Sequence, residues 1–467
     1  MKANKTIQKK WKRLCRRACC LFLCAVLSAA LALPAGADSL YQLPEGKTLN
    51  AASAMVVYLG LTPEQDTVLF EKNADEVSAP AALVRLMVGA YALKQIEERQ
   101  IDLDKTTGTY EKWMDDTFIT GTGIGTASMN IGETWTLRDL LTVSMIETAG
   151  DAAVTLAATI SGTVGDFVQG MNDLAKEIGC TNTSFANVTG LDSLVQYTCP
   201  RDLYLITRYV MDYPLFGQVT GVYQHTVTPV ANGDKRTFVN RNLLMRRSSA
   251  FYYEPTVFGR TGYTDQSGYS LVSLAQSGGY DYLVIVMGCP AEDAQGQTGT
   301  QYLDSKMLYT WAFGEFTLKP LLTKNEILAQ VDVRLAWNKD KVSLVPKEEF
   351  ATVVYDQLEP EDIIKRVVLY DEDGVDAPVE KGTVFGKVEL IVNLDQKIGE
   401  VELVAGESVE RSQILAVWEK IRGFLTSTWF FVGLGLLGVL LVLYIILNIV
   451  HNRNRRRNNM QRVKKYK

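Results

Sequence analysis

Residues 79–87 read Ala-Pro-Ala-Ala-Leu-Val-Arg-Leu-Met and open a run to Glu97 that is apolar at helical spacing. Pro80 stands at its start, where a missing N–H costs nothing. Upstream, Ala54-Met-Val-Val-Tyr-Leu and Thr67-Val-Leu-Phe read as a strand pair around a polar turn. Downstream, Thr136 to Ile160 predicts two helices interrupted near Thr148-Ala149-Gly150, and Asp166 to Ile178 an amphipathic helix. Phe258 to Leu274 and Tyr280 to Met287 read as antiparallel strands joined through Gly278-Gly279. From Leu318 to Glu410 the text changes to short alternating runs such as Gln330-Val-Asp-Val-Arg-Leu, which predict a small all-β domain.

The chain has 467 residues, enough for two to four domains at roughly 100–200 residues each. With 47% hydrophobic and 22% charged residues it is neither disordered nor of low complexity. The net charge of −5 hides an asymmetry. Residues 1–37 and 451–467 carry 8 basic residues each and no acid, which leaves 32 basic against 53 acidic residues between them. So acidic a body lacks the basic footprint that nucleic acid requires. Only two histidines occur, His225 and His451, which excludes a multi-histidine zinc site. No metal or other cofactor is expected. A Ser-His-Asp triad could use only His225, which sits in a strand-like Tyr-Gln-His-Thr-Val stretch without an acid–nucleophile pattern. Packing is its expected job.

Both ends carry membrane-targeting patterns. Residues 1–17 are basic, an uncharged stretch follows from Ala18, and Ala35-Gly36-Ala37 ends it. That is the layout of a secretory signal peptide spanning 1–37, a retained N-terminal anchor being the alternative. Cys15, Cys19, Cys20 and Cys24 lie in this leader. Cys180, Cys199 and Cys289 remain, either with a Cys180–Cys199 disulfide or as three buried thiols. Near the other end Gly423 to Val450 is free of charge, and residues 429–450 span about 33 Å as a helix, enough for a hydrocarbon core of about 30 Å. The basic run 451–467 then predicts a cytoplasmic tail. A single-pass cell-membrane protein follows, with its main domains outside and residues 411–428 as a juxtamembrane segment.

Several segments, taken in order, resemble the serine D-alanyl-D-alanine carboxypeptidases, the low-molecular-weight penicillin-binding proteins. Val68-Leu-Phe-Glu-Lys-Asn-Ala and the 79–87 stretch resemble that family's approach to its nucleophile helix. Ile131-Gly-Glu-Thr-Trp-Thr-Leu-Arg-Asp-Leu-Leu and Asp151-Ala-Ala-Val-Thr-Leu-Ala resemble its second motif region. Thr183-Ser-Phe-Ala-Asn-Val-Thr-Gly-Leu, Asn240-Arg-Asn-Leu-Leu and Gly259-Arg-Thr-Gly-Tyr-Thr follow, and Ala377-Pro-Val-Glu-Lys-Gly-Thr-Val-Phe-Gly resembles its C-terminal β-domain. The resemblance implies an α+β fold, an antiparallel sheet flanked by helices with a helical subdomain, over residues 38–317. A β-domain over 318–410 and the transmembrane helix follow.

It also implies a chemistry that this chain departs from. In the family's S-x-x-K motif the serine attacks the peptide carbonyl and the lysine, one turn later, takes its proton. The S-x-N motif supplies a second hydroxyl and a substrate-holding amide, and K-T-G receives the substrate's terminal carboxylate. Here the nucleophile position is Ala82 and the lysine position Arg85. The second motif reads Thr148-Ala149-Gly150 and the third Arg260-Thr261-Gly262. Alanine has no nucleophilic atom, arginine is no base at neutral pH, and Gly150 offers no amide. No serine has a lysine three residues later, and Ser78 reads as a structural residue at the helix entrance. Arg260, Thr261 and Gly262 keep cation, hydroxyl and glycine; Arg260 is either a carboxylate ligand or a surface strand residue left behind by drift. The aromatic run Phe251-Tyr252-Tyr253 lines a groove or packs.

A membrane-anchored pseudoenzyme is the expectation, binding peptidoglycan stem peptides or scaffolding cell-wall proteins. An active carboxypeptidase with an unrecognised nucleophile is the alternative. A third reading gives the function to the β-domain as an interaction module.

Overall fold

A computed structural model of the chain describes residues 41–463 apart from 338, 372–373 and 393–395. The leader read at 1–37 and the last residues of the basic tail lie outside the described residues. Backbone contacts divide the chain into two compact units, one of residues up to 319 with 351–362, the other of 320–350 with the residues from 363 onward.

The first unit is organised by a five-stranded antiparallel sheet. Strands β1 (Ser53–Tyr58) and β2 (Thr67–Lys72) form the expected hairpin. Two small ribbons follow in sequence, β3 (Thr107–Thr109) with β4 (Thr134–Thr136), and β5 (Gln224–Val227) with β6 (Arg236–Val239). The sheet is completed by β7 (Thr256–Thr264), β8 (Gly268–Ser277) and β9 (Tyr280–Cys289), giving the order β2-β1-β9-β8-β7. Gly278 and Gly279 both have positive φ, 61° and 87°, as the two-residue hairpin turn between β8 and β9 requires. The stretch Phe258–Leu274, read as one strand, is in fact two. Thr264 and Ser267 exchange backbone-to-hydroxyl bonds of 2.9 and 3.0 Å, and Gly268 at φ 66° turns the chain back.

All six β1 residues are buried because the sheet is covered on both faces. Met55 and Val57 join one core and Ala54, Val56 and Tyr58 the other, the period-2 alternation of a strand. The first core contains the helix Val84–Glu98, surrounded by the helices Leu137–Ile146, Gly150–Ser161, Val164–Ile178 and Pro200–Met211. The second is closed by the helix Thr300–Glu315 through Leu308, Tyr309 and Trp311. Helix Val84–Glu98 has buried residues on every face, which is why its text is apolar almost throughout.

In the second unit a six-stranded sheet runs in the order Ile364–Leu369, Val384–Val392, Gln396–Ala405, Lys341–Pro346, Ala329–Arg334 and Val375–Asp376. This is the expected all-β domain. The helix Gln413–Thr426 follows, and then the helix Thr428–Val463, whose segment Thr428–Arg453 is long and apolar enough to cross a membrane. Cys180, Cys199 and Cys289 are free thiols, with burial pushing all three pKa values up, Cys180 to about 12 and Cys199 to about 11.

Candidate functional site

Of the positions singled out in the sequence, Ala82, Thr148, Thr261 and Gly262 line one cavity. Ala82 lies in the 3₁₀ turn Ala81–Leu83 that leads into helix Val84–Glu98, and Ala81 takes a left-handed φ of 47°. An L-residue there costs roughly 1–2 kcal/mol, so the surroundings must impose it. They do so by backbone contact. A Cβ at Gly190 would fall 2.5 Å from the Ala81 carbonyl oxygen, and one at Gly262 would fall 3.1 Å from the Ala82 nitrogen. Both glycines let another segment press directly onto this turn. The result is a cavity of about 670 Å³ lined by Ala82, Thr148, Thr261 and Gly262 together with Arg241, Arg246, Gln301 and Tyr302.

Arg85 follows one turn after Ala82 but does not reach the cavity. It is 1% exposed. Its Nε donates to the Val188 carbonyl at 3.0 Å, one terminal nitrogen to Ser144 and Ala149 at 3.1 and 3.0 Å, and the other to Thr189 at 3.3 Å. The guanidinium therefore ties the helix to the break between the helices Leu137–Ile146 and Gly150–Ser161, and to the 188–189 segment. Nearby Asp151 is equally buried and accepts from the backbone N–H groups of Ala127, Met129 and Ala152 at 2.8–2.9 Å. Burial, the larger influence, raises the Asp151 carboxyl pKa, while those donors and Arg85 pull it down.

Arg260 corrects an expectation. Read as a carboxylate ligand or a surface residue, it is 2% exposed and stands behind the cavity wall. Its Nε donates to the Ala82 carbonyl at 3.2 Å and one terminal nitrogen to Met145 and Glu147 at 2.8 and 2.9 Å. The reason is strand geometry: on β7 alternate residues face opposite ways, so Thr261 meets the cavity and Arg260 goes under it. Burial, and after it the charge of Arg85, depresses the Arg260 pKa to about 9. Two guanidiniums thus occupy the interior beneath the cavity: Arg85 spends all three nitrogens on backbone carbonyls, while one terminal nitrogen of Arg260 is without a partner among the described residues.

Thr148 keeps its hydroxyl at the cavity, 3.3 Å from the Glu147 carboxylate, which also pairs with Arg241. Gly150 donates its N–H to the Gly125 carbonyl at 2.8 Å. A Cβ on Gly150 would lie 3.2 Å from that oxygen and 3.2–3.3 Å from Ile119 and Ile124 side-chain carbons. The 119–125 segment occupies the space an amide side chain would need. Elsewhere, the Ser78 hydroxyl is buried away from the cavity lining, and His225 pairs with Asp139 at 2.7 Å in the β5–β6 ribbon. Sequence reading missed Arg241, Arg246, Gln301 and Tyr302. Arg241 stood in a noted motif, Asn240-Arg-Asn-Leu-Leu, but no spacing rule linked the others to Ala82. Among the described residues no cluster of His, Cys, Asp and Glu could hold a metal ion.

A family model described as D-alanyl-D-alanine carboxypeptidase matches residues 42–291, and one described as the C-terminal domain of penicillin-binding protein 5 matches residues 316–411. Among curated proteins, D-alanyl-D-alanine carboxypeptidase DacF of Bacillus subtilis is 27% identical over 365 residues, 77% of this chain and 87% of that one. DacA of Escherichia coli is 28% identical over 384 residues, 79% and 87% of the two chains. The solved structure of penicillin binding protein 5 from Haemophilus influenzae aligns with a TM-score of 0.63 at 23% identity, over 79% of this chain and all of that one. That likeness is one of fold.

Proposed function

Because the chain belongs to the D-alanyl-D-alanine carboxypeptidase family, we propose that it is a catalytically silent member that binds the stem peptide its relatives cleave. One observation carries this. At the position where the helix Val84–Glu98 meets the cavity stands Ala82, which has no atom to attack a carbonyl, and the cation one turn later is a buried arginine bonded to carbonyl oxygens. Losing the nucleophile of a serine peptidase costs about 10⁶-fold in turnover. The Thr148 and Thr261 hydroxyls remain, but the carboxylate nearest Thr148, that of Glu147, is already paired with Arg241.

Binding is a separate matter. Thr261 and Gly262 offer a hydroxyl and a close backbone approach, and Arg241, whose side chain is 61% exposed beside Glu147, supplies the accessible cation that Arg260 does not. A peptide's terminal carboxylate would dock there with micromolar to millimolar affinity, since the amide of the second motif is missing. The helix Thr428–Val463 would hold the protein in the cell membrane with its main domains outside.

The test uses fluorescent penicillin and a pentapeptide ending in D-Ala-D-Ala. No covalent label and no released D-alanine are expected, while titration calorimetry detects weak pentapeptide binding that falls at least fivefold for the C-terminal amide. A stable penicilloyl adduct on any residue would instead establish an active enzyme with an unrecognised nucleophile.

A further inference from the structure

The second unit carries a groove of its own, far in sequence from the three motif regions. It holds about 450 Å³, within the range of ligand-binding clefts. Its floor lies on the two central strands of the six-stranded sheet, Lys341–Pro346 and Gln396–Ala405. Val342 and Leu344 are fully buried in the domain interior, so strand alternation puts Ser343 and Val345 on the opposite face. Val345 stands opposite Val404, and the Gly406 N–H donates to the Ser343 carbonyl at 2.9 Å, which brings both strands onto that face. All four residues line the groove. A Cβ at Gly406 would lie 3.2 Å from Val345 Cγ1, so the glycine leaves that part of the floor unfilled.

Segments leading into the two flanking strands border this floor. Ahead of Ala329–Arg334 come Lys324, Asn325 and Ile327, anchored where the Leu328 N–H donates to the Leu344 carbonyl at 3.1 Å. Ahead of Val384–Val392 comes the turn Lys381–Gly382, with the Gly382 N–H on the Ala405 carbonyl at 2.9 Å. Lys347, just past its strand, is a third cation of the lining. All three lysines are exposed. Lys347 pairs with Glu402 at 2.6 Å, whereas Lys324 and Lys381 form no ion pair among the described residues. The one acid of the lining, Glu407, is already paired with Lys339. In a body with 32 basic against 53 acidic residues this is a local reversal of charge. Ile327, 61% exposed, adds apolar surface that the fold itself does not cover.

Ammonium groups around an apolar floor restrict the occupant. A polyphosphate chain would answer the lysines and leave the floor wet, and a purely apolar segment would cover the floor and leave the lysines idle. An extended peptide with alternating side chains answers both. Its apolar residues turn down to Val345, Val404 and Ile327, and its carboxylates lie within reach of long lysine side chains at the rim. We propose that this groove docks an extended segment of a partner protein in which acidic and apolar residues alternate. The site is independent of the stem-peptide reading, since it shares no residue with the cavity around Ala82. The rim lysines contribute chiefly steering and specificity, and burial of the apolar floor contributes the rest.

The experiment is fluorescence anisotropy of a labelled peptide, Gly-Glu-Leu-Glu-Val-Glu-Gly, titrated with the full chain in detergent micelles. It should bind at least about tenfold tighter than versions with Gln for Glu or with Ser for Leu and Val. Raising the salt from about 0.05 to about 0.5 M should weaken it at least about fivefold, because the ion pairs are exposed. Lys324→Ala with Lys381→Ala, and separately Ile327→Ser, should each lose about tenfold; these side chains are exposed, so the fold does not depend on them. Equal affinity for the Glu and Gln peptides, no binding at low salt, or full affinity in the lysine variant overturns the proposal. So does inorganic tripolyphosphate binding as tightly as the peptide, which would make the groove a phosphate site. Self-association of the full chain abolished by Lys381→Glu would give the groove to a second copy and overturn it likewise.

Discussion

An arginine and a lysine differ most where they are buried. A guanidinium is a planar fork with five N–H donors, and an ammonium is a compact point with three. Around Arg85 four carbonyls, of Ser144, Ala149, Val188 and Thr189, converge from three segments, a shell that suits the fork. Arg85→Lys should therefore destabilise the fold by roughly 1–3 kcal/mol, even though it restores the residue of the family's motif. Arg85→Met should cost about 3–5 kcal/mol, the range for losing one member of a buried polar network. Urea denaturation of the first unit's tryptophan fluorescence measures both. An unchanged midpoint for Arg85→Lys would mean that the carbonyl shell does not depend on the fork. That Arg85 is no base was legible from residue type alone. Its commitment to carbonyls was not, because the partners lie 59 to 104 positions away in sequence.

At the scale of elements, the break between the helices Leu137–Ile146 and Gly150–Ser161 is where a functional side chain has become a packing surface. The 119–125 segment crosses this break closely enough that a Cβ at Gly125 would fall 2.7 Å from the Thr148 carbonyl oxygen. Reinstating the motif's amide by Gly150→Asn must push that segment away. Overpacking of this kind costs about 1–3 kcal/mol. The triple variant Ala82→Ser, Arg85→Lys, Gly150→Asn should thus be less stable than the parent and release no D-alanine from the pentapeptide. Turnover in the triple variant at parental stability would show that the loop yields freely and that the site is one step from activity. The strand β7 makes the same point in reverse. Its Arg-Thr-Gly text is motif-like, yet Arg260 is buried beneath the cavity while Thr261, Gly262 and Tyr263 line it.

For the molecule as a whole, the decisive pattern is the distribution of charge along the chain. An acidic body precedes the uncharged helix segment Thr428–Arg453, and basic residues follow it. By the positive-inside rule the acidic body should lie outside and the tail inside. Protease added to intact cells should degrade the chain from the first unit up to about Trp429 and spare an epitope placed after Lys467. Loss of that epitope, with the first unit intact, would invert the topology. Ahead of this segment, Ile414, Val417, Trp418, Ile421, Phe424 and Leu425 are exposed on the helix Gln413–Thr426. They recur at three- and four-residue spacing, which gives that juxtamembrane helix one apolar face.

The sequence by itself determined the architecture: a hairpin, a nucleophile-type helix, a helical interruption at 148–150, a Gly-Gly hairpin and a separate β-domain. Each is written in local periodicity, in turn residues, or in motif order, all of which act over a few positions. It also determined what chemistry is missing, since residue type alone disqualifies Ala82 and Gly150. Only the tertiary structure decided where the cations point. Arg85 read only as the occupant of the lysine position and Arg260 as a carboxylate ligand or a surface residue, but folding brings carbonyls from distant segments to both and buries them beneath the cavity. In the same way it delivered Arg241, Arg246, Gln301 and Tyr302 to the cavity from loops and a helix start that carry no shared spacing. A side chain's direction depends on which surfaces close over it, and that is settled only when the sheet, the helices and the loops meet.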